Sequence, residues 1–168
     1  EDFVSAMETA LQEAHPELDL KQFRHWYSQA GTPEVLASWK QADGKLALTL
    51  QQNCRPTPGQ ANKPAFHIPV KLGFVDLATG EDVALTLEGN TNALHGDVLD
   101  FTEPAQTFVF TGLDKPVVPS LLRGFSAPVL LQTAHSTDDV ARSCFAERAG
   151  YRIRTRYGNQ HVARSAGS

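Results

Sequence analysis

The chain has 168 residues, 41% of them apolar, enough for one well-packed domain or for one domain with pieces of its neighbours. Fifteen basic side chains against nineteen acidic ones give a net charge of −4, too mild to mark a nucleic-acid or membrane-surface partner for the chain as a whole. No stretch approaches the roughly 18 consecutive apolar residues of a membrane span, and Cys54 and Cys144 stand far apart without a CxxC or Cys/His grouping, so neither a disulfide framework nor a zinc knuckle is indicated.

From these features a reducing, cytoplasmic setting is expected. The opening Glu1-Asp2 lacks a basic segment followed by an apolar run, and the start reads as cut from a longer protein.

Residues 2 to 13 space Phe3, Met7 and Leu11 four apart, the pattern of an amphipathic helix whose apolar stripe needs a partner. After the break at His15-Pro16, Asp19 is placed to cap a second helix. Gln22 reaches back to it, and Leu18 with Phe23 supplies the apolar staple. That helix is expected to carry Leu20, Phe23, Trp26 and Tyr27 on one face and to stop at Gly31-Thr32-Pro33.

From Glu34 onward the period changes from helical spacing to alternation. Val35 to Lys40 and Lys45 to Gln51 read as strands joined by a hairpin at Asp43-Gly44, with Leu46, Leu48 and Leu50 facing one way. Pro56, Pro58 and Pro64 make the next segment a long exposed loop. Phe66, Ile68, Val70, Leu72 and Phe74 then alternate strictly with their neighbours, marking a half-buried strand. Ala78-Thr79-Gly80-Glu81 turns into Val83, Leu85 and Leu87. Further strands are expected at Asp97 to Phe101, at Gln106 to Thr111, and in two runs between Leu121 and Gln132.

About seven short strands with turns between them and no intervening helix exclude a parallel α/β sheet. The expected fold is mainly β, an antiparallel, immunoglobulin-like β-sandwich preceded by two short α-helices, with a closed barrel as the alternative. Three regions are expected: 1–33 helical, 34–135 the sandwich, and 136–168 a tail. From Val140 to Ser168 the tail holds six Arg, no Lys and Glu147 as its only acid, the composition of a disordered or non-native end.

No active site is assembled by these residues. A zinc hydrolase needs two His one helical turn apart with a Glu beside the first. His15, His25, His67, His95, His135 and His161 instead fall in separate elements, each read as a surface or capping side chain. Ser126 lacks the closing Gly and following helix of a nucleophile elbow, and reads as a turn residue. Pairing Cys54 with His67 leaves no orienting third group. Gly112, Gly124 and Gly150 are isolated, so no phosphate loop is present, and Glu81-Asp82 and Asp138-Asp139 lie in predicted turns. No catalytic, cofactor-binding or metal-binding residue is assigned.

The passage from Leu20 to Pro33, with Phe23, Trp26, Tyr27, Gln29 and Gly31-Thr32-Pro33, closely resembles the end of the catalytic domain in the aminopeptidase N family of zinc metallopeptidases. The likeness continues through Phe66-His67-Ile68-Pro69, Gln106 to Phe110, and Val118 to Val129, and so covers roughly residues 1 to 135. It implies a non-catalytic β-sandwich spacer between a catalytic domain and a large helical C-terminal domain. The zinc and the peptide substrates then belong to the parent enzyme, and the family's zinc helix and substrate loop have no matching positions here. After Asp139 the family enters its helical domain, whereas this chain gives the Arg-rich tail. The reading from a different class is an independent immunoglobulin-like module that binds protein or carbohydrate through the 53–64 loop.

Overall fold

A computed structural model of the chain describes residues 2–14, 20–89 and 93–134. Helix α1 spans Asp2–Ala14 and helix α2 spans His25–Ser28. Ten strands follow: β1 Glu34–Ala42, β2 Lys45–Asn53, β3 Ile68–Asp76, β4 Asp82–Val83, β5 Thr86–Glu88, β6 Leu94–His95, β7 Val98–Phe101, β8 Ala105–Thr111, β9 Val117–Leu121 and β10 Leu130–Thr133.

They form two sheets. One has the order β10-β1-β2-β8-β5; the other has the order β4-β3-β7-β6, with β9 also paired to β3. The mainly β sandwich expected from the sequence is therefore present. Among the described strands one pairing departs from the antiparallel rule: β10 runs parallel to β1, with Leu130 opposite Glu34 and Thr133 opposite Ala37.

The β1–β2 hairpin forms because Asp43 and Gly44 both adopt positive φ, 52° and 73°, the geometry that matches strand twist in a two-residue turn. Its register opposes Ala42 to Lys45 and Glu34 to Asn53. Alternation then sends Leu46, Leu48 and Leu50 inward to full burial, while Thr49 faces out to hydrogen-bond Thr107 at 2.9 Å across β8. On β3 the buried set is Ile68, Val70, Leu72, Phe74 and Asp76. Phe74 meets Phe110 of the facing sheet edge to face at a centroid distance of 4.7 Å. Each fully buried Leu, Ile or Phe here contributes roughly 1.5 to 3 kcal/mol of transfer free energy.

Asp76 is the one buried charged residue among those described, and it is fully partnered. It accepts from Lys115 Nζ at 2.8 Å and, through Oδ1, from the backbone N–H groups of Ala78 at 2.7 Å and Thr79 at 3.3 Å. The Lys115 contact first, then these amides, hold its carboxyl down to about 2. The carboxylate thereby fixes the Ala78–Glu81 turn in place.

Four expectations need correction. The second helix is a single turn, because Leu20 to Arg24 form tight turns and Gln22 spends its side chain on the sandwich instead of a cap. Leu18, Asp19 and the break at His15-Pro16 lie outside the described residues. Leu20, Phe23, Trp26 and Tyr27 do not share one face: Trp26 packs on the core while Tyr27 stays 60% exposed. The expected run from Val83 to Leu87 breaks in two, since β4 pairs with β3 and β5 with β8 in the other sheet.

Finally, the first of the two runs placed between Leu121 and Gln132 lies earlier, as β9, and the residues after it form a 3-10 turn at Arg123–Phe125. Leu122 and Phe125 there take φ of 57° and 58°. The Arg123 guanidinium crosses Gly73 of β3 to grip Asp82 with both nitrogens, at 2.8 and 2.6 Å. The tail at 136–168 lies outside the described residues.

Candidate functional site: the seam between the helical lead-in and the sandwich

A dense set of long-range polar contacts lies at the end of the sandwich where β2 runs out, β3 begins and β7 ends. There the lead-in of residues 20–31 is fastened to the backbone of 64–67 and 102. Gln22 Nε2 donates to Thr102 O at 2.6 Å and to Ala65 O at 3.2 Å. His25 Nδ1 lies 2.9 Å from the same Ala65 oxygen. Trp26 Nε1 donates to His67 O at 2.8 Å, and its ring lies tilted on Phe66 at 4.8 Å. Phe23 meets the His67 ring edge-on at 6.2 Å.

From the sandwich side Gln52 holds both backbone groups of Phe66. Its Oε1 accepts from the Phe66 N–H at 2.8 Å, and its Nε2 donates to Phe66 O at 2.9 Å. These bonds satisfy an irregular segment that no ladder can serve.

The proline-rich connection is tied into the same seam. Gln60 clamps the lead-in with two bonds, donating to Ser28 O at 2.8 Å and accepting from the Ala30 N–H at 2.8 Å. Gln29 donates to Pro64 O at 3.2 Å, and Lys63 Nζ donates to Ala30 O. The segment expected as a long exposed loop is thus a strap over the end of the lead-in. Gln22, Gln52 and Gln60 make most of these ties; the sequence points Gln22 to a helix cap instead, and nothing in it distinguishes Gln52 and Gln60 from solvated glutamines.

Helix α1 is linked to the lead-in by Arg24, whose guanidinium reaches Glu8 at 2.9 Å from Nε and 2.5 Å from Nη2. Val4 is buried, but Phe3 is 67% exposed and Met7 38%. With Tyr27 they leave aromatic and apolar surface facing outward.

The side chains to which the sequence assigns no catalytic role are not brought together into one centre. His67 Nε2 lies 3.0 Å from Asp100 Oδ1, and His95 Nε2 lies 3.2 Å from Asp100 Oδ2, so both imidazoles are spent on one carboxylate instead of on a common centre. Cys54 makes its contacts with Lys63 and Ala30, away from that cluster. Ser126 Oγ accepts from the Lys71 N–H at 2.9 Å, a tie for the turn. Asp82, read as a turn acid, opens β4 and is held ionised below its usual range by the Arg123 hydrogen bonds. His15, His135, His161, Gly150 and Asp138-Asp139 lie outside the described residues. Among the described residues no three His, Cys, Asp or Glu side chains converge to hold a metal ion. The described residues thus offer no donor set suited to the zinc that the resemblance assigns to the parent enzyme.

A family model described as "Domain of unknown function (DUF3458) Ig-like fold" matches residues 31–134, which holds all ten strands. The chain is an Ig-like domain of the aminopeptidase N family. It is 43% identical over 142 residues to an aminopeptidase N of Haemophilus influenzae, a match that covers 83% of this chain and 15% of that protein. It is 38% identical over 134 residues to the aminopeptidase N of Escherichia coli, covering 79% of this chain and 14% of the relative. The chain thus spans about one-seventh of the length of these relatives. A crystal structure of Legionella pneumophila aminopeptidase A in complex with aspartic acid shares the fold over 76% of this chain and 14% of its own, with a TM-score of 0.50 at 21% identity.

Proposed function

We propose that this chain is the non-catalytic spacer of a zinc-dependent, cytoplasmic aminopeptidase that removes N-terminal residues from peptides. In this reading residues 1–33 are the end of the catalytic domain, 34–135 the spacer, and 136–168 an Arg-rich, disordered or non-native tail. The observation that carries the reading is the seam. A lead-in too short to be stable alone is fastened by Gln22, His25 and Trp26 to backbone atoms of the sandwich, and Tyr27 of the lead-in and Phe3 and Met7 of α1 face outward. A spacer needs this combination, a fixed angle to what precedes it and an apolar face on which a neighbouring domain closes.

The partners are accordingly the catalytic and helical C-terminal domains of a longer chain. The reading is supported by the short share of each relative that the chain covers and by the aminopeptidase names those relatives carry.

The test is hydrolysis of an alanyl fluorogenic amide by the purified chain with added zinc, run beside its metal content. An inactive, metal-free chain supports the spacer. Zinc-dependent turnover, or one tightly held zinc per chain, refutes it.

A further inference from the structure

Cys54 directly follows β2, and Lys63 lies nine residues on, at the other side of the strap. Two backbone carbonyls aim the Lys63 side chain: it donates to Arg55 O at 2.8 Å and to Ala30 O. So held, its Nζ lies 3.8 Å from Cys54 Sγ. Both atoms sit over Gly31, where a Cβ would meet the sulfur at 3.3 Å and the nitrogen at 3.4 Å. Glycine leaves the thiol and the amine room to lie side by side. Neither residue is fully buried, so a small oxidant reaches the thiol.

We propose that Cys54 and Lys63 form a reversible sulfur–nitrogen cross-link when the protein meets a hydroperoxide. In the first step the Cys54 sulfur attacks the terminal peroxide oxygen. The O–O bond breaks, the other oxygen leaves with the thiol proton as an alcohol, or as water from hydrogen peroxide, and the sulfur is oxidised to sulfenic acid, S–OH. In the second step the Lys63 amine, its extra proton given to solvent, attacks the sulfur. The S–N bond forms, the S–O bond breaks, and the hydroxyl leaves with a proton as water. The sum is thiol plus amine plus hydrogen peroxide giving S–NH and two waters. A thiol reductant reverses it by attacking sulfur and releasing the amine.

The placement makes the cross-link more than a local event. The nitrogen keeps a single hydrogen afterwards, so it can hold only one of the Ala30 and Arg55 carbonyls. Oxidation thereby closes the strap into a ring and slackens its tie to the lead-in. This inference does not depend on the spacer reading.

The experiment is treatment of the folded full chain with hydrogen peroxide in mildly alkaline buffer, followed by trypsin and mass spectrometry. Arg55 and Lys63 each precede proline and resist trypsin, so residues 46–71 remain one peptide holding both partners. The expected product of that peptide has lost two hydrogens, gives no backbone fragments between 54 and 63, and regains its mass with dithiothreitol. K63R keeps the cation and its donors but is expected not to yield it, leaving Cys54 as sulfenic or sulfinic acid; C54S is expected to be inert. The proposal is overturned if wild type yields only those oxyacids, if Cys54 is found in a disulfide with Cys144, or if K63R loses the same two hydrogens.

Discussion

Trp26 donates its indole N–H to the carbonyl of His67 at 2.8 Å while its ring rests on the neighbouring Phe66. The bond and the stacking act on Phe66 and His67, and Gln52 grips Phe66 from the sandwich side. Trp26→Phe keeps most of the ring contact but leaves the His67 carbonyl unpaired, for an expected loss of about 1 kcal/mol. Trp26→Ala removes both, for an expected loss of about 3 kcal/mol. Urea denaturation monitored by circular dichroism separates the two variants.

The Asp76–Lys115 contact sets an acid limit. The folded carboxyl stands at about 2 against an unfolded value near 3.8, so the ionised form is favoured by folding. Its contribution is complete above the unfolded value and is lost as pH falls from about 4 toward 2. Guanidinium midpoints measured across that window should fall for wild type and fall less for Asp76→Asn. Equal slopes would remove Asp76 from the account of acid stability.

Gly73 is glycine because the Arg123 guanidinium lies across it. A Cβ there would come within 2.2 to 2.5 Å of the guanidinium atoms. Gly73→Ala should push this flexible head group aside and break the two-pronged grip on Asp82. The pair is partly exposed, so the expected cost is about 1 kcal/mol or less. Arg123→Ala should cost a similar amount, and adding Gly73→Ala to it should cost little more, a coupling that a double-mutant cycle reads directly.

The outward face of α1 predicts association of the chain when no neighbouring domain covers it. Phe3 and Met7 lie one helical turn apart and are both accessible. Sedimentation velocity over a concentration series should show self-association in wild type and its loss in Phe3→Glu/Met7→Glu. An unchanged series would show that another surface is responsible.

Much of the sandwich is legible in the sequence because alternation and turn chemistry are local signals. Asp43-Gly44 fixes a hairpin whatever surrounds it, and the alternation along β3 survives unbroken in the buried pattern of Ile68–Asp76. Strand β9 escapes because Pro119 interrupts its run, yet the strand needs only β3 as a partner and so tolerates the missing donor. The split between β4 and β5 is equally hidden: the change of sheet at residues 84–85 depends on which distant strands have room. The lead-in misleads for a related reason. Gln22 and Phe23 suit a helix start, but Thr102 O, Ala65 O and the His67 ring give them better partners, and those partners lie more than 40 residues away. Gln52 and Gln60 carry no local signal at all.

Native-state hydrogen exchange tests most directly whether lead-in and sandwich are one rigid unit. The amides of Trp26, Tyr27 and Gln29 bond to Phe23, Arg24 and His25 within a single turn, which by itself has almost no protection. Fastened to the sandwich, they should exchange with free energies that track those of the β3 amides, and Trp26→Ala should release them while β3 remains protected. If these amides exchange in wild type as fast as an unstructured peptide, the lead-in is not held, and the chain cannot set the angle between domains as proposed.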